Sequence, residues 1–271
     1  MLHFRTLDWG MDGLRKIIVQ LDFVNEAGGD VIARSITYAG FVGVLTGVRK
    51  DLSISLNFRP NHDTKARFAN IRYYSHQLLV LLGLRPSIAS ILRQYLLPPD
   101  NPRSDTRSNG EDLKSGETPP TELSIIERDL PKNPSSAAYL IFSDGDRTIT
   151  MEKDHRTAAT RSAYDFISIT NHDISAETAR DSQSDPSVLL ETGMQALVEE
   201  SSERQDCVAK LWNSSMRRAS RRGAGCQVRK KDMVRWLNTY PITNEETHFA
   251  TIMDPKAGEV AWMKQYISPA H

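Results

Sequence analysis

Two runs rich in β-branched residues, 17–23 and 31–38, flank the turn-forming stretch Asn25-Glu26-Ala27-Gly28-Gly29-Asp30. Such a pair with such a connection reads as a β-hairpin, because glycine and asparagine supply the backbone angles a tight reversal needs. A third apolar run at 41–46 is punctuated by Gly40, Gly43 and Gly47, which suit a bulged strand or a close backbone approach. In 52–57, Leu52, Ile54 and Leu56 alternate with Ser53, Ser55 and Asn57, a period-two pattern that predicts one buried and one polar face. The first sixty residues are therefore committed to sheet.

Helical patterns follow. Residues 73–82 are apolar nearly all round and predict a buried helix ended by Gly83; Pro86 is placed to begin another reaching about Leu96, which Pro98 and Pro99 stop. Residues 97–136 hold seven of the 13 prolines and many Ser, Asp and Glu, which predicts a disordered insertion. Beyond it, 139–142 and 148–152 make a second hairpin, 166–170 a further strand, 186–215 and 230–237 helices, and 248–253 with 259–266 a last hairpin. Strands at both ends with helices between argue for one domain, 1–271, of mixed sheet and helix layers.

Composition excludes several classes. Lys plus Arg and Asp plus Glu are both 34, so no global field attracts nucleic acid. No apolar run reaches the roughly eighteen residues of a membrane span, the longest being 78–84. Cys207 and Cys226 match no zinc spacing; a disulfide between them and a free pair both stay open. Nothing in the spacing asks for a metal or a cofactor. A local basic cluster within 217–231 (Arg217, Arg218, Arg221, Arg222, Arg229, Lys230, Lys231) is either a solvated helix end or a contact for an anionic lipid surface.

The polar motifs are individually weak. Arg5-Thr6-Leu7-Asp8-Trp9 places Arg5 and Asp8 on opposite faces of a strand unless the chain bends near Gly10. Thr170-Asn171-His172-Asp173 closes an apolar run and is equally a turn former; no serine elbow accompanies its His-Asp pair, so a triad is rejected. Glu203-Arg204-Gln205 taken alone is a solvated helix face. Their order is the stronger signal. Arg-Thr-Leu-Asp-Trp, Tyr-Ala-Gly-Phe-Val-Gly-Val-Leu-Thr-Gly, Ser-Leu-Asn-Phe-Arg, Thr-Asn-His-Asp, Glu-Arg and the final run from Thr247 to Trp262 together resemble the acid ceramidase and N-acylethanolamine acid amidase family. These are N-terminal-nucleophile hydrolases of the choloylglycine-hydrolase type.

The resemblance implies an α+β fold, the αββα sandwich, and hydrolysis of the amide of an N-acylated lipid such as ceramide by an N-terminal cysteine whose own amine is the base. It implies that Arg5 favours the thiolate, Asp8 holds the amine, Asn171 and a backbone N–H near Asn57-Phe58 stabilise the oxyanion, and Arg204 completes the cluster. The implied partners are the N-acyl lipid and an anionic membrane, with no obligate protein partner, in an acidic compartment such as a lysosome or vacuole. The implied cysteine lies about a dozen residues before Met1, two short strands and a turn away, and Cys207 and Cys226 are too far downstream to replace it. The chain as written is thus expected to lack its first strand and nucleophile, to be inactive alone, and to expose a sheet edge. A start at an internal methionine is the favoured origin of that boundary; a pseudoenzyme, or a protein that binds lipid surfaces through 217–231, is the alternative.

Overall fold

The computed structural model describes residues 1–60, 62, 64, 67–97, 121–173, 195–223 and 225–270. In chain order the strands are β1 (His3–Asp8), β2 (Ile18–Val24), β3 (Val31–Tyr38), β4 (Thr46–Arg49), β5 (Leu52–Phe58), β6 (Ala138–Ser143), β7 (Thr148–Lys153), β8 (Ala158–Ala163), β9 (Thr247–Asp254) and β10 (Glu259–Gln265). The helices are α1 (Ala69–Leu81), α2 (Ile88–Leu96), α3 (Glu122–Asp129), α4 (Gln195–Arg221) and α5 (Lys230–Leu237).

Strands β2 to β8 form one antiparallel sheet in sequence order, while β9 stands between β1 and β10 in a second. Three apolar clusters stack these sheets into layers. Ile88, Ile91, Leu92 and Leu96 of α2 and Leu123 and Ile126 of α3 pack with Leu52, Ile54, Leu140 and Phe142 on one face of the large sheet. Leu7 and Phe249 meet Ile18, Ile36 and Tyr38 between the two sheets. Val208 of α4 and Trp236 and Leu237 of α5 pack with Ala250 and Ile252 on the far face of the small sheet. The order is helix, sheet, sheet, helix, the αββα sandwich the resemblance implied.

This layering changes several expectations. The hydroxyl face of β5 is not exposed: Ser53 and Ser55 are both fully buried, because the second sheet covers it. Their hydroxyls flank the ring of His3 at 2.9 and 3.0 Å, so burial leaves no polar atom of that trio without a partner. Residues 41–45 are outside the ladder, and β4 begins only at Thr46. Gly43 has φ 115°, and a Cβ there would lie 2.5 Å from the backbone of Ala89, so the glycine serves a close approach to α2. Pro86 precedes α2, whose N-cap is Ser87, accepting from Ser90 N–H at 3.1 Å.

Helix α1 is the largest reversal. Its sequence is apolar, but its one buried side chain is His76; Leu78 is 56% and Leu81 84% exposed. The end of the proposed insertion is ordered, as α3 and a short 3-10 helix at Leu130–Lys132 with Leu123, Ile126 and Leu130 in the core; residues 98–120, including Pro98 and Pro99, lie outside the described residues. Residues 166–170 pair with no strand, and β8, with no β-rich signature, was missed. The helix expected at 186–215 is described from Gln195 and runs on to Arg221. Among the described residues no helix is long and apolar enough to cross a membrane.

Candidate functional site

Strand β1 organises the site. Its alternation sends His3, Arg5 and Leu7 toward the large sheet and Phe4 and Asp8 toward α4 and α5. Arg5 and Asp8 therefore do not touch, as the period of a strand dictates, although the register with β9 shifts between Leu7 and Asp8. The two border one cavity along the open edge of β1, since β9 is the only strand paired with it among the described residues.

Arg5 is buried, yet it is met by neutral acceptors alone. One Nη donates to the Leu45 carbonyl and to Thr46 Oγ1, both at 2.8 Å, and the other donates to Asn57 Oδ1 at 2.9 Å. Burial lowers its pKa to about 10, which leaves it a guanidinium at neutral and acid pH. Its charge is fixed in direction by four oxygens, the fourth being the Thr6 carbonyl that accepts from Nε at 3.3 Å, and is available to an anion at the β1 edge.

Asp8 is held from two sides. Thr247 Oγ1 donates to Oδ1 at 2.7 Å, and Arg204 on α4 makes an ion pair with Oδ2. Burial lowers the Arg204 pKa, with the carboxylate of Glu246 acting in the opposite sense. The structure thus joins Arg204 to Asp8, 196 residues apart in sequence.

Asn171 closes the third side. Its Nδ2 donates to the carbonyl of Phe58 at 2.8 Å, where β5 ends. Its backbone N–H donates to Ser201 Oγ at 2.6 Å, and the same hydroxyl lies 2.8 Å from His172 Nδ1. Asp173 accepts from Arg59 at 2.8 and 2.7 Å and from the Tyr139 hydroxyl at 2.8 Å. Burial opposes ionisation of Asp173, but Arg59 and Tyr139 outweigh it and its pKa is lowered. Residues 170–173 are therefore a turn, as their composition allows, and also a braced presenter of Asn171; His172 and Asp173 are occupied by bracing.

Arg5, Asp8, Asn57, Phe58, Asn171 and Arg204 all line the same cavity of about 1350 Å³. The lining also carries apolar side chains, among them Phe4, Val208, Trp212, Met233 and Trp236. Sequence reading missed Thr46, Ser201 and Thr247 as support. Thr46 and Thr247 stand inside the matched motifs, and Ser201 is one helical turn before Arg204, so a face count on α4 was the available signal. Both cysteines are free and partly buried, and Cys226 lines the cavity whereas burial raises the Cys207 thiol pKa. Among the described residues no group of three or more His, Cys, Asp or Glu could hold a metal.

No family model matches this sequence, and no curated protein matches it significantly. Solved structures do. The Caenorhabditis elegans ortholog of N-acylethanolamine-hydrolyzing acid amidase superposes with a TM-score of 0.56 at 18% identity, over 98% of this chain and 94% of that one. Penicillin V acylase from Agrobacterium tumefaciens gives 0.46 at 16% identity, over 96% and 79%. The first likeness and the layer order agree: the chain has the αββα fold of the N-terminal-nucleophile hydrolases.

Proposed function

We propose that this chain carries the substrate site and supporting groups of an N-acyl lipid amide hydrolase of the ceramidase and N-acylethanolamine amidase kind. The observation that carries the reading is the convergence of Arg5, Asp8, Asn171 and Arg204 on one cavity at the unpaired edge of β1. A thiolate entering there on an added strand would meet the Arg5 guanidinium, and an amine beside it would meet the Asp8 carboxylate. Asn171 Nδ2 has a second N–H beyond the one given to Phe58, and it serves as donor to a tetrahedral oxyanion, with a backbone N–H at Asn57-Phe58 as the other. Attack by sulfur on the amide carbon would expel the amine and leave a thioester for water to cleave.

The cavity is larger than the several hundred Å³ of an ordinary ligand pocket, and its lining combines the candidate polar groups with much aromatic and aliphatic surface. That suits a long acyl chain with an amide at one end. The partner surface we propose is an anionic membrane, supported by the exposed apolar side chains of α1 and by the exposed Arg217, Arg218, Arg221, Arg222, Arg229, Lys230 and Lys231. An acidic compartment remains part of the proposal.

Trp212 and Trp236 line the cavity and report its filling. Titration with N-palmitoylethanolamine or a short-chain ceramide should change their fluorescence saturably, and Trp236→Phe should remove part of the signal. Equal response to acetamide, or none to either lipid, would count against the reading.

A further inference from the structure

His76, the one buried side chain of α1, has a peculiar neighbourhood. Its Nδ1 lies 3.3 Å from Arg85 Nη1, and arginine can only donate, so Nδ1 accepts and the ring is neutral. Its Nε2 is buried with no hydrogen-bond partner among the described residues. Its ring stands 5.1 Å from that of His155 in the β7–β8 turn, and His155 Nδ1 lies 3.3 Å from the Ser135 carbonyl. Two imidazoles thus form the centre of the joint between α1 and the large sheet. Around it α1 adds Gln77, which accepts from Ser136 Oγ at 3.2 Å, and Tyr73, whose hydroxyl is 3.5 Å from Ala137 N.

The charged groups facing this joint are mostly cations. Arg85 follows α1, Lys153 ends β7, Asp154 and Arg156 come from the β7–β8 turn, and Arg59 follows β5. Lys153 is wholly buried and gives its ammonium to the carbonyls of Asp154 and His155. Asp154 is a carboxylate in the same turn; it accepts from the His155 N–H and lies 3.7 Å from Arg59. Asp173 is engaged by Arg59 and Tyr139. A proton added to either ring meets these cations, and the two ring centres stand 5.1 Å apart, so charges on both rings would repel. Burial first pushes both histidine pKa values below the ordinary 6.5; His155, Arg85 and Lys153 add to this at His76, while at His155 the Ser135 carbonyl opposes it and Arg156, Lys153 and Arg85 add to it.

We propose that His76 and His155 are an acid-released latch on α1: neutral, they seat the helix at the rim of the cavity, and their protonation frees it. Tyr73 and Gln77 line that cavity, so release of α1 widens the entrance used by the acyl lipid. The purpose of the latch rests on the amide-hydrolase reading, but its existence does not. A group whose folded pKa is depressed favours the closed state fully above its free pKa, and loses that preference as pH falls. Opening should therefore rise by up to about tenfold per histidine for each pH unit below roughly 6.5.

Hydrogen exchange of the ligand-free chain from pH 7.5 to 4.5, corrected for intrinsic rates, tests this without any substrate. The expected result is a loss of protection over 69–81 that is steeper with falling pH than any loss in β6 and α2. His155→Gln, which cannot charge, should reduce that pH slope by about half. Protection of α1 that is flat with pH would overturn the latch, as would loss in step with β6, which would mean global unfolding. Because the slope is measured on the unmodified protein, a variant that fails to fold leaves the test intact. Failure of lipid to bind the cavity would count against the amidase reading alone.

Discussion

Arg5 shows how a single residue can be legible in sequence while its partners are not. Its place in Arg-Thr-Leu-Asp-Trp marks it, but Thr46 and Asn57, which orient it, lie 41 and 52 residues away. Arg5→Met should remove the donors to Thr46 Oγ1 and Asn57 Oδ1 and destabilise by about 3 kcal/mol in urea unfolding, more than Arg5→Lys, whose ammonium can still serve part of the set. Gly43 is a second case. Gly43→Ala combines a φ of 115° with a 2.5 Å clash on the Ala89 backbone, so a loss of about 2 kcal/mol or more is expected, against almost none for Gly13→Ala, where a Cβ meets nothing. Arg204 and Asp8 were each visible as candidates; that they touch follows from α4 crossing β1, which no local pattern encodes.

Elements were legible where their partner is local. The β2–β3, β6–β7 and β9–β10 hairpins carry their own turns, and α5 matches its expected bounds. Burial of an element was less legible, because α1 and α2 are both apolar and only the tertiary contacts separate them. Leu92→Ala in α2 should cost about 2–5 kcal/mol, since the side chain is fully buried, whereas Leu81→Glu in α1 should change stability by less than about 0.5 kcal/mol. Leu81→Glu should instead weaken sedimentation with vesicles. Anionic vesicles should retain more protein than zwitterionic ones, and paired charge reversal at Arg217 and Arg218 should remove the difference; an unchanged difference would argue against a role for the basic cluster. The missed α3 has Leu123, Ile126 and Leu130 at helical spacing, a signal outweighed by the prolines before it.

At the scale of the molecule, four histidines share one tendency. Burial lowers the pKa of His3, to about 3, and also of His76, His155 and His248. Each is favoured neutral in the folded chain, so their contribution is complete above about pH 6.5 and declines as pH falls toward the folded values. The melting temperature should drop between pH 7.5 and 5, and His3→Asn, which removes the titrating ring, should flatten the fall from about pH 6.5 downward. The αββα order and an exposed sheet edge were implied by the resemblance that the order of motifs carries, whereas the cavity that gathers the candidate groups along that edge became visible only in three dimensions. The amide-hydrolase proposal holds that a cysteine thiol placed along that edge completes these groups. It is tested most directly by measuring N-palmitoylethanolamine and ceramide hydrolysis by this chain and by the same chain preceded by a turn and a short strand that begins with cysteine. The account predicts no hydrolysis by the first, cysteine-dependent hydrolysis by the second, and a loss of about 100-fold or more on Asn171→Ala. Hydrolysis by the unextended chain that disappears in Cys226→Ser would contradict it, because the attacking sulfur would then lie across the cavity from the β1 edge.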